Sequence, residues 1–300
     1  MSAGRAPLGV RQWPVWLLLG VMVGLARLPW GLQRWLGRTL GQVLRRTMGT
    51  RRRVAARNLA LCFPDMDDAA RDALLHAHFA ALGIGLFEFA RAWWGSVDAM
   101  QRDLRIEGME HLDAARAGGR GVILVSGHFT TLELCGRLLC ERVPLAGMYR
   151  PHAQGALEWA VKRGRLRYAV AMFGREELRP AIRHLKSGGV LWFAPDQETR
   201  RGDSVHVPFF GQPASSLTST HQLARLSGAT VLAFAHARRA DGGYTLRVAP
   251  AFADFPTADA TADTARVMAA IEAMVRAAPA QYLWIHRRFK RRPGGGDAYA

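Results

Sequence analysis

The sequence predicts an α/β protein with a mixed, largely parallel sheet flanked by helices. Two observations lead to this class. Short, unbroken apolar runs recur along the chain, as expected for strands that are buried on both faces of a parallel sheet. Stretches with helical periodicity separate these runs, and strands that alternate with helices are typical of parallel sheets. A chain of 300 residues is long enough for one large α/β domain with an appended segment, and no internal repeat is visible.

The first element is an apolar helix near the amino terminus. Residues 13–26 form the most hydrophobic stretch of the chain, bounded by Arg11 and Arg27. The interval between these arginines gives a helix of about 22 Å, shorter than the roughly 30 Å hydrocarbon core of a bilayer. A spanning and an interfacial position both fit this length, because Arg27 is able to reach the membrane surface. No small-x-small cleavage pattern follows, so we interpret the stretch as a retained anchor and not as a secretory signal.

The segment after the anchor is basic and aromatic. No acidic residue precedes Asp65, and the whole chain carries 41 basic against 24 acidic residues, a formal charge of +17. Such a charge favours an anionic membrane, a phosphorylated substrate or nucleic acid. The tryptophans favour the membrane surface, since a nucleic-acid arm is more often polar. The residues concerned are Arg5, Arg11, Arg27, Arg34, Arg38, Arg45, Arg46, Arg51, Arg52, Arg53 and Arg57, with Trp13, Trp16, Trp30 and Trp35.

The remaining elements follow in order along the chain. Apolar residues at helical spacing predict a long helix over residues 67–92, and a short helix precedes the next apolar run. Glycine-rich turns separate later elements, for example Gly188-Gly189 and Asp241-Gly242-Gly243. Strands are predicted over 121–125, 143–148, 190–194, 230–235 and 244–248, and helices from Leu132 onward and over 154–169, 176–186, 215–227 and 263–277.

The stretch around His128 is the centre of the functional hypothesis. An apolar run over 121–125 ends at Ser126-Gly127, and the hydroxyls of Thr130-Thr131 are suited to cap the helix that follows. The histidine thus lies at the carboxyl end of a strand, where open α/β sheets bind ligands. Glu133 comes five positions after it. Residues at this spacing in one helix point about 140° apart, but the two can meet if His128 is on the turn and Glu133 is in the helix.

This pattern indicates general-base chemistry. A carboxylate bonded to one ring nitrogen of His128 fixes the tautomer and leaves the other nitrogen free to take a proton. Ser126 is not framed as Gly-x-Ser-x-Gly, so the base is expected to act directly on a substrate hydroxyl. Backbone N–H groups at the start of the next helix, or an arginine, are the expected donors to a developing oxyanion. The cysteines Cys62, Cys135 and Cys140 show no metal-ligand spacing, and no cofactor is predicted.

Several separated sequence blocks occur in a specific order. The block from Gly127 to Glu133 resembles the His-x4-Asp/Glu signature of glycerolipid-type acyltransferases. Together the blocks resemble the late acyltransferases of lipid A synthesis, which acylate Kdo-lipid IVA, over roughly residues 13–293. The other blocks are Arg57-Asn58-Leu59 with Cys62-Phe63-Pro64, Glu107-Gly108-Met109-Glu110-His111, Tyr149-Arg150-Pro151, Gly164-Arg165-Leu166-Arg167, Pro195-Asp196, Ser204 to Phe210, and Trp284 to Lys290.

The resemblance implies a glycerolipid-acyltransferase-like fold and transfer of a fatty acyl group from acyl carrier protein to a hydroxyl of a phosphorylated glycolipid. It makes His128 and Glu133 the catalytic dyad and matches Arg165 and Asp196 to further site residues, which we expect to bind the substrate. We add Arg150 as a candidate for binding a phosphate or the oxyanion. The implied location is the bacterial inner membrane, with the catalytic domain on the cytoplasmic face. The expected parts are an anchor and membrane-surface segment (1–57), a catalytic domain (58–293) and a flexible tail (294–300).

Two alternatives and one departure from the family pattern stay open. Glycerophospholipid acyltransferases typically have Asn before the histidine, Asp after it and a Glu-Gly-Thr-Arg block, whereas this chain has Gly127, Glu133 and no such block. A basic nucleic-acid-binding protein leaves the apolar anchor and the ordered motif unexplained. Where the lipid A family usually has Asp-x-Asp-x-Gly, this chain has Asp196-Gln197-Glu198-Thr199-Arg200, which leaves the shape of that loop and the substrate preference open.

Overall fold

A seven-stranded sheet forms the centre of the protein. The computed structural model describes residues 5–198 and 203–299. The strands of this sheet are β1 (Leu104–Glu107), β2 (Val122–Val125), β3 (Leu145–Tyr149), β4 (Ala171–Gly174), β5 (Val190–Phe193), β8 (Thr230–Arg238) and β9 (Tyr244–Ala251), and a separate antiparallel hairpin contains β6 (Ser204–Phe209) and β7 (Gln212–Leu217). The order is β1-β9-β8-β2-β5-β3-β4, with only β8 and β9 antiparallel among these described strands. The predicted mixed, largely parallel sheet is therefore confirmed.

Helices cover both faces of the sheet. They are α1 (Trp13–Leu25), α2 (Trp30–Thr47), α3 (Gly49–Cys62), α4 (Asp68–Trp94), α5 (Asp98–Arg102), α6 (Met109–Ala117), α7 (Leu132–Cys140), α8 (Gly155–Arg165), α9 (Leu178–Lys186), α10 (Ser219–Ser227) and α11 (Ala260–Ala277). The core on one face includes side chains from α9, α10 and α11, and the core on the other face includes side chains from α6, α7 and α8. The long helix α4 contributes to both.

The central strand β2 is buried on both of its faces. None of its four residues has exposed surface. Ile123 and Val125 pack in the core on one side of the sheet, while Val122 and Leu124 pack in the core on the other. Because helices cover both sides, the strand has no solvent-facing position that favours a polar residue. The unbroken apolar run thus predicted this strand correctly.

Close packing of helices α2 and α4 ties the amino-terminal segment to the sheet. A Cβ on Gly41 would lie 2.1 Å from the carbonyl oxygen of Phe79, and one on Gly83 would lie 2.0 Å from the carbonyl oxygen of Gly37. Only glycine allows the two backbones to approach this closely. The opposite side of α2 leaves Leu32, Trp35 and Val43 exposed.

The predicted apolar helix near the amino terminus is present as α1. Its side chains Leu17, Leu18 and Val21 are exposed, whereas Leu19 is buried against the rest of the protein. Within the described residues, the helix long and apolar enough to cross a bilayer is α4, but more than half of its most apolar window is buried inside the protein. We therefore interpret α4 as a core helix, and anchoring through α1 stays a prediction.

Two local expectations are wrong. The helix predicted over 215–227 begins only at Ser219, because Ser215, Ser216 and Leu217 pair with β6 as part of strand β7. The hydroxyl of Thr131 does not cap α7. It bonds instead to a ring nitrogen of His236 at 2.8 Å.

The division into three parts stays a prediction, and the structure adds two facts to it. The boundary between residues 57 and 58 lies inside the continuous helix α3. In the tail, the hydroxyl of Tyr299 bonds to the side chain of Asn58 and accepts the backbone N–H of Phe289 at 3.0 Å. The tail therefore contacts the helix that carries this boundary.

Candidate active site

His128 lies on the turn between β2 and α7, as predicted. The backbone before it is joined to the neighbouring strand, since the N–H of Ser126 donates to the carbonyl of Phe193 at 3.1 Å. The backbone after it is joined to the carboxyl-terminal segment, since the N–H of Thr130 donates to the carbonyl of Gln281 at 2.8 Å. The carbonyl of His128 itself accepts the N–H of Leu283 at 2.9 Å. These bonds hold the turn on both sides.

The carboxylate of Asp196 holds His128 in place. Its Oδ1 lies 2.6 Å from Nδ1 of the imidazole, and its Oδ2 accepts the backbone N–H of His128 at 2.9 Å. Burial by itself raises the pKa of Asp196, but the charge of His128 and the hydrogen bonds from His128 and Tyr282 outweigh it and lower that pKa to about 2. The carboxylate is therefore ionised at neutral pH. Nε2 of His128 has no hydrogen-bond partner among the described residues, and 31% of the side chain is exposed.

Strand order explains this pairing. β2 and β5 are parallel neighbours, with Val125 opposite Phe193. His128 comes three residues after Val125 and Asp196 comes three residues after Phe193. Because the carboxyl ends of parallel strands meet at one edge of the sheet, equal offsets bring the two side chains together.

The structure corrects the expected partner of His128. The carboxylate of Glu133 is buried and accepts hydrogen bonds from Nε of Arg165 at 3.0 and 3.2 Å, from Nε1 of Trp93 at 3.0 Å and from the hydroxyl of Tyr168 at 3.3 Å. A second bond from Nη2 of Arg165 completes a bidentate ion pair. No hydrogen bond joins Glu133 to His128 in the described part of the chain. The physical reason is that these three residues surround the carboxylate of Glu133 and satisfy it as a hydrogen-bond acceptor.

Arg165 is therefore directed inward. Its side chain is 17% exposed, and its guanidinium carbon lies 5.5 Å from the centre of the Tyr149 ring. Burial lowers the pKa of this guanidinium, but the charge of Glu133 raises it above the ordinary value. The arginine thus forms a permanent charge pair with Glu133. A direct contact between Arg165 and the substrate stays a prediction.

Arg150 has a different environment. It directly follows β3, which pairs with β5 on the side away from β2, and its side chain is exposed. Among the described residues it has no ion-pair or hydrogen-bond partner. It therefore lies at the same edge of the sheet as Asp196 with its guanidinium available. Its role in binding negative charge stays a prediction.

The segment after Asp196 is held by the carboxyl-terminal part of the protein. The N–H of Glu198 donates to Nε2 of His286 at 3.2 Å, and Oε1 of Glu198 lies 3.1 Å from Nε of Arg291. Arg200, which stands where the family usually has glycine, lies outside the described residues.

Sequence reasoning missed the part that residues 281–291 play in building the site. Besides their bonds to the histidine turn, they are tied to α3, because Nδ2 of Asn58 donates to the carbonyls of Trp284 and His286 at 2.6 and 2.7 Å. Both ends of this contact lie in the sequence blocks that carry the family resemblance. No local pattern indicated that they touch each other.

Two other histidines lie near the site, but they are poor bases. Burial lowers the pKa of His236 to about 3 and the pKa of His286 to about 4. A group with so low a pKa takes up a proton weakly at neutral pH. Ser126 is buried, and burial raises the pKa of the Cys135 thiol well above its ordinary value, so neither is an activated nucleophile. These properties distinguish His128 as the candidate base.

Fold and site together define an α/β protein with a histidine–carboxylate pair at the carboxyl edge of a parallel sheet. A sequence model of the family described as bacterial lipid A biosynthesis acyltransferase matches residues 5–291. The chain belongs to this family, which confirms the resemblance noted from its motifs.

Curated relatives agree with this assignment. The chain is 38% identical over 287 residues to the lipid A biosynthesis palmitoleoyltransferase of Escherichia coli K12, with 95% of this chain and 94% of the relative covered. It has the same identity and coverage with the lipid A biosynthesis lauroyltransferase of that strain. The lipid A biosynthesis myristoyltransferase of E. coli K12 is 25% identical over 293 residues, with 96% of this chain and 91% of the relative covered. The chain is thus an acyltransferase of the lipid A type.

Proposed function

We propose that the protein moves a fatty acyl group from acyl carrier protein to a hydroxyl of a lipid A precursor of the Kdo-lipid IVA type. The observation that carries this proposal is the state of His128. One ring nitrogen is held by an ionised, buried carboxylate, the other has no hydrogen-bond partner among the described residues, and the side chain is partly exposed. This is the arrangement that a general base needs.

In the proposed reaction, the acceptor hydroxyl attacks the thioester directly. Because Asp196 is ionised, we assign the Nδ1 proton to the bond with its carboxylate, which leaves Nε2 as the proton acceptor. Nε2 takes the proton of the acceptor hydroxyl as its oxygen attacks the thioester carbonyl. The C–O bond forms, the C–S bond breaks, and the proton passes from Nε2 to the departing thiolate. Asp196 stabilises the imidazolium during this sequence.

The developing oxyanion needs a positive group or hydrogen-bond donors. Two backbone donors near the start of α7 are already used, since the N–H of Thr130 bonds to Gln281 and the N–H of Leu132 bonds to Phe129. We assign Arg150 to the negative charge of the substrate, on either the oxyanion or a sugar phosphate, because its guanidinium has no carboxylate partner among the described residues.

Glu133 and Arg165 take a supporting role in this proposal. Glu133 lies in the first turn of α7, directly after the turn that carries His128, and Arg165 ends α8. Their buried ion pair joins the two helices at the edge of the sheet where the site lies. We therefore propose that the pair positions the start of α7, while the direct partner of His128 is Asp196.

The location proposed is the bacterial inner membrane, with the site on the cytoplasmic face. The exposed apolar side chains of α1 and α2 and the acid-free first 64 residues support contact with an anionic bilayer. Family membership and the absence of a Glu-Gly-Thr-Arg block argue against a glycerophospholipid acyltransferase. The same membership argues against a nucleic-acid-binding protein, and no cofactor enters the proposed reaction.

The test of the proposed function compares the lipid A of cells that contain this chain with the lipid A of cells that lack it. Mass spectrometry is expected to show that the chain adds the mass of one acyl group to the precursor. Cells that carry His128→Ala at equal protein level are the control and should retain the unmodified precursor. An unchanged lipid A profile, in cells where the protein is present and folded, would contradict the proposal.

A basic face of α9 fits the acidic acyl carrier protein. Arg179, Arg183 and Lys186 are exposed, lie on one side of the helix and have no carboxylate partner among the described residues. Since α9 follows β4, its first turn lies at the carboxyl edge of the sheet, as the candidate site does. Complementary charge at such a position favours productive docking.

We expect the double charge reversal Arg179→Glu with Arg183→Glu to raise KM for the carrier-bound donor by about tenfold or more, with kcat little changed. Transfer from a small acyl thioester should be unaffected, because only the carrier protein contacts this face. Steady-state kinetics with both donors measure the effect. The control is Arg116→Glu with Arg120→Glu, an equal change of charge at exposed positions before β2. An equal rise of KM in the control, or none in the test variant, would exclude α9 as the docking face.

A further inference from the structure

A cavity of about 270 Å³ lies between helices α1 and α8. Its walls are largely apolar and include Leu19 and Val23 on α1, Trp94 at the end of α4, and Trp159 on α8. The ring of Trp16 packs edge-on against that of Trp159, with centroids 5.3 Å apart, and closes one side. The volume and lining are close to those of sites that take small apolar ligands.

Two arginines complete the lining of this cavity. Arg163 and Arg167 are exposed, and neither has a carboxylate partner among the described residues. The guanidinium of Arg163 lies 5.1 Å from the centre of the Trp159 ring, and Arg167 donates to the carbonyl of Trp93 at 2.8 Å. These contacts fix both side chains beside the cavity and leave further N–H donors for an anionic group.

Helix α1 presents a second apolar surface on its outer side. Leu17 and Leu18 are 72% and 59% exposed, whereas Leu19, which lines the cavity, is 5% exposed. A helix of this kind is stable in contact with lipid on its outer side. The cavity then lies between a lipid-facing helix and the folded domain, with positive charge beside it.

We propose that this cavity binds one acyl chain of an anionic phospholipid, whose head group is held by Arg163 and Arg167. The lipid is distinct from the reacting substrates, because the lining contains neither His128 nor Asp196 nor Arg150. The proposal does not depend on the proposed function. The apolar walls of the cavity match a hydrocarbon chain, and its two arginines, which have no carboxylate partner among the described residues, match an anionic head group.

The lipid site adjoins the ion pair of the candidate active site. Gly164 lines the cavity, and a Cβ there would lie 2.5 Å from the ring of Trp93. Trp93 donates to Glu133, and Arg165 is the next residue after Gly164. A lipid that fixes α1 against α8 therefore also stabilises the helix end that carries Arg165.

Two glycines of α1 allow a matched test of the proposal that the cavity binds an acyl chain. Neither Gly20 nor Gly24 has an atom within 4 Å of an added Cβ, but only Gly20 lines the cavity. We expect Gly20→Leu to weaken binding of phosphatidylglycerol with brominated acyl chains by about tenfold, because the new side chain occupies the space. Gly24→Leu should bind like the wild type. The measurement is saturable quenching of tryptophan fluorescence by this probe, with the full-length protein in detergent micelles.

The head-group assignment has its own test. Arg163→Gln is expected to weaken binding of the same brominated phosphatidylglycerol by about tenfold, whereas Arg179→Gln, on a different helix, should not. Brominated phosphatidylcholine should bind more weakly than phosphatidylglycerol to the wild type. Equal quenching in wild type and Gly20→Leu would overturn the cavity as the chain site. Equal binding of the two lipids, or no effect of Arg163→Gln, would overturn the anionic head group.

Discussion

Replacing His128 with alanine is expected to lower the rate of acyl transfer by about 10²–10⁴-fold, the usual contribution of a general base. The variant should still fold, because this side chain is partly exposed and lies on a turn. Asp196 keeps its bond from the backbone N–H at position 128, so we expect a stability loss of only about 1–3 kcal/mol. Single-turnover kinetics with carrier-bound donor, together with thermal unfolding, measure the two effects separately.

Asp196→Asn tests the partner of the base and should cost about 10²-fold or more in kcat, because the side-chain amide no longer fixes the tautomer that leaves Nε2 unprotonated. His111→Ala is the matched control and should have wild-type kinetics, since this histidine is in α6 after β1, and two strands, β9 and β8, lie between β1 and β2. Wild-type turnover by a folded His128→Ala protein would exclude His128 as the base. Wild-type turnover by Asp196→Asn would exclude the pairing that the structure shows.

The second large effect is expected at the ion pair of Glu133 and Arg165. Glu133→Ala leaves the guanidinium of Arg165 buried without its carboxylate, which should lower the free energy of unfolding by about 3–5 kcal/mol. Arg165→Lys keeps the charge but loses the paired N–H donors, so we expect it to lose stability and substantial activity as well. Lys162→Ala on the same helix is the control and should change little. Chemical denaturation measures stability, and steady-state kinetics measure transfer.

A double-mutant cycle separates positioning from direct catalysis. The variant Glu133→Ala with Arg165→Ala should be more stable than the sum of the two single changes predicts, because no unpaired charge remains. If the pair only positions α7, kcat and stability should fall together across these variants. A stable Glu133→Gln protein without activity would instead place Glu133 at the reacting atoms, as the motif first suggested. If Arg165→Lys behaved like the wild type, the paired N–H donors of the guanidinium would have no role in transfer.

Local sequence patterns predicted the frame of the site well. The apolar run of β2 ends where expected, His128 lies on the turn and Glu133 lies in the following helix. The run of β5 and the position of Asp196 after it were also predicted. These features depend on residues close together in the sequence, so periodicity, chain-breaking residues and strand ends are enough to indicate them.

The choice of partners was harder to predict. His128 is on the turn and Glu133 is in the helix, which is the arrangement that a contact between them requires. The carboxylate of Glu133 nevertheless bonds to Arg165, which lies 32 residues away. Thr131 occupies the capping position of α7, and yet its hydroxyl bonds to His236, 105 residues away. A polar side chain forms a hydrogen bond with a donor or acceptor that is close to it in three dimensions. The sequence alone does not show which donor or acceptor that is.

The sequence by itself determined the α/β class, the family, the apolar helix near the amino terminus and the two chain positions that carry the histidine and the aspartate. Only the tertiary structure decided that these two belong together. His128 and Asp196 are 68 residues apart, and they meet because β2 and β5 are neighbours in the sheet. Strand order results from packing over the whole domain, in which each strand is buried against helices far away in sequence. A local pattern specifies a strand and its end, whereas the neighbour of that strand is a property of the assembled core.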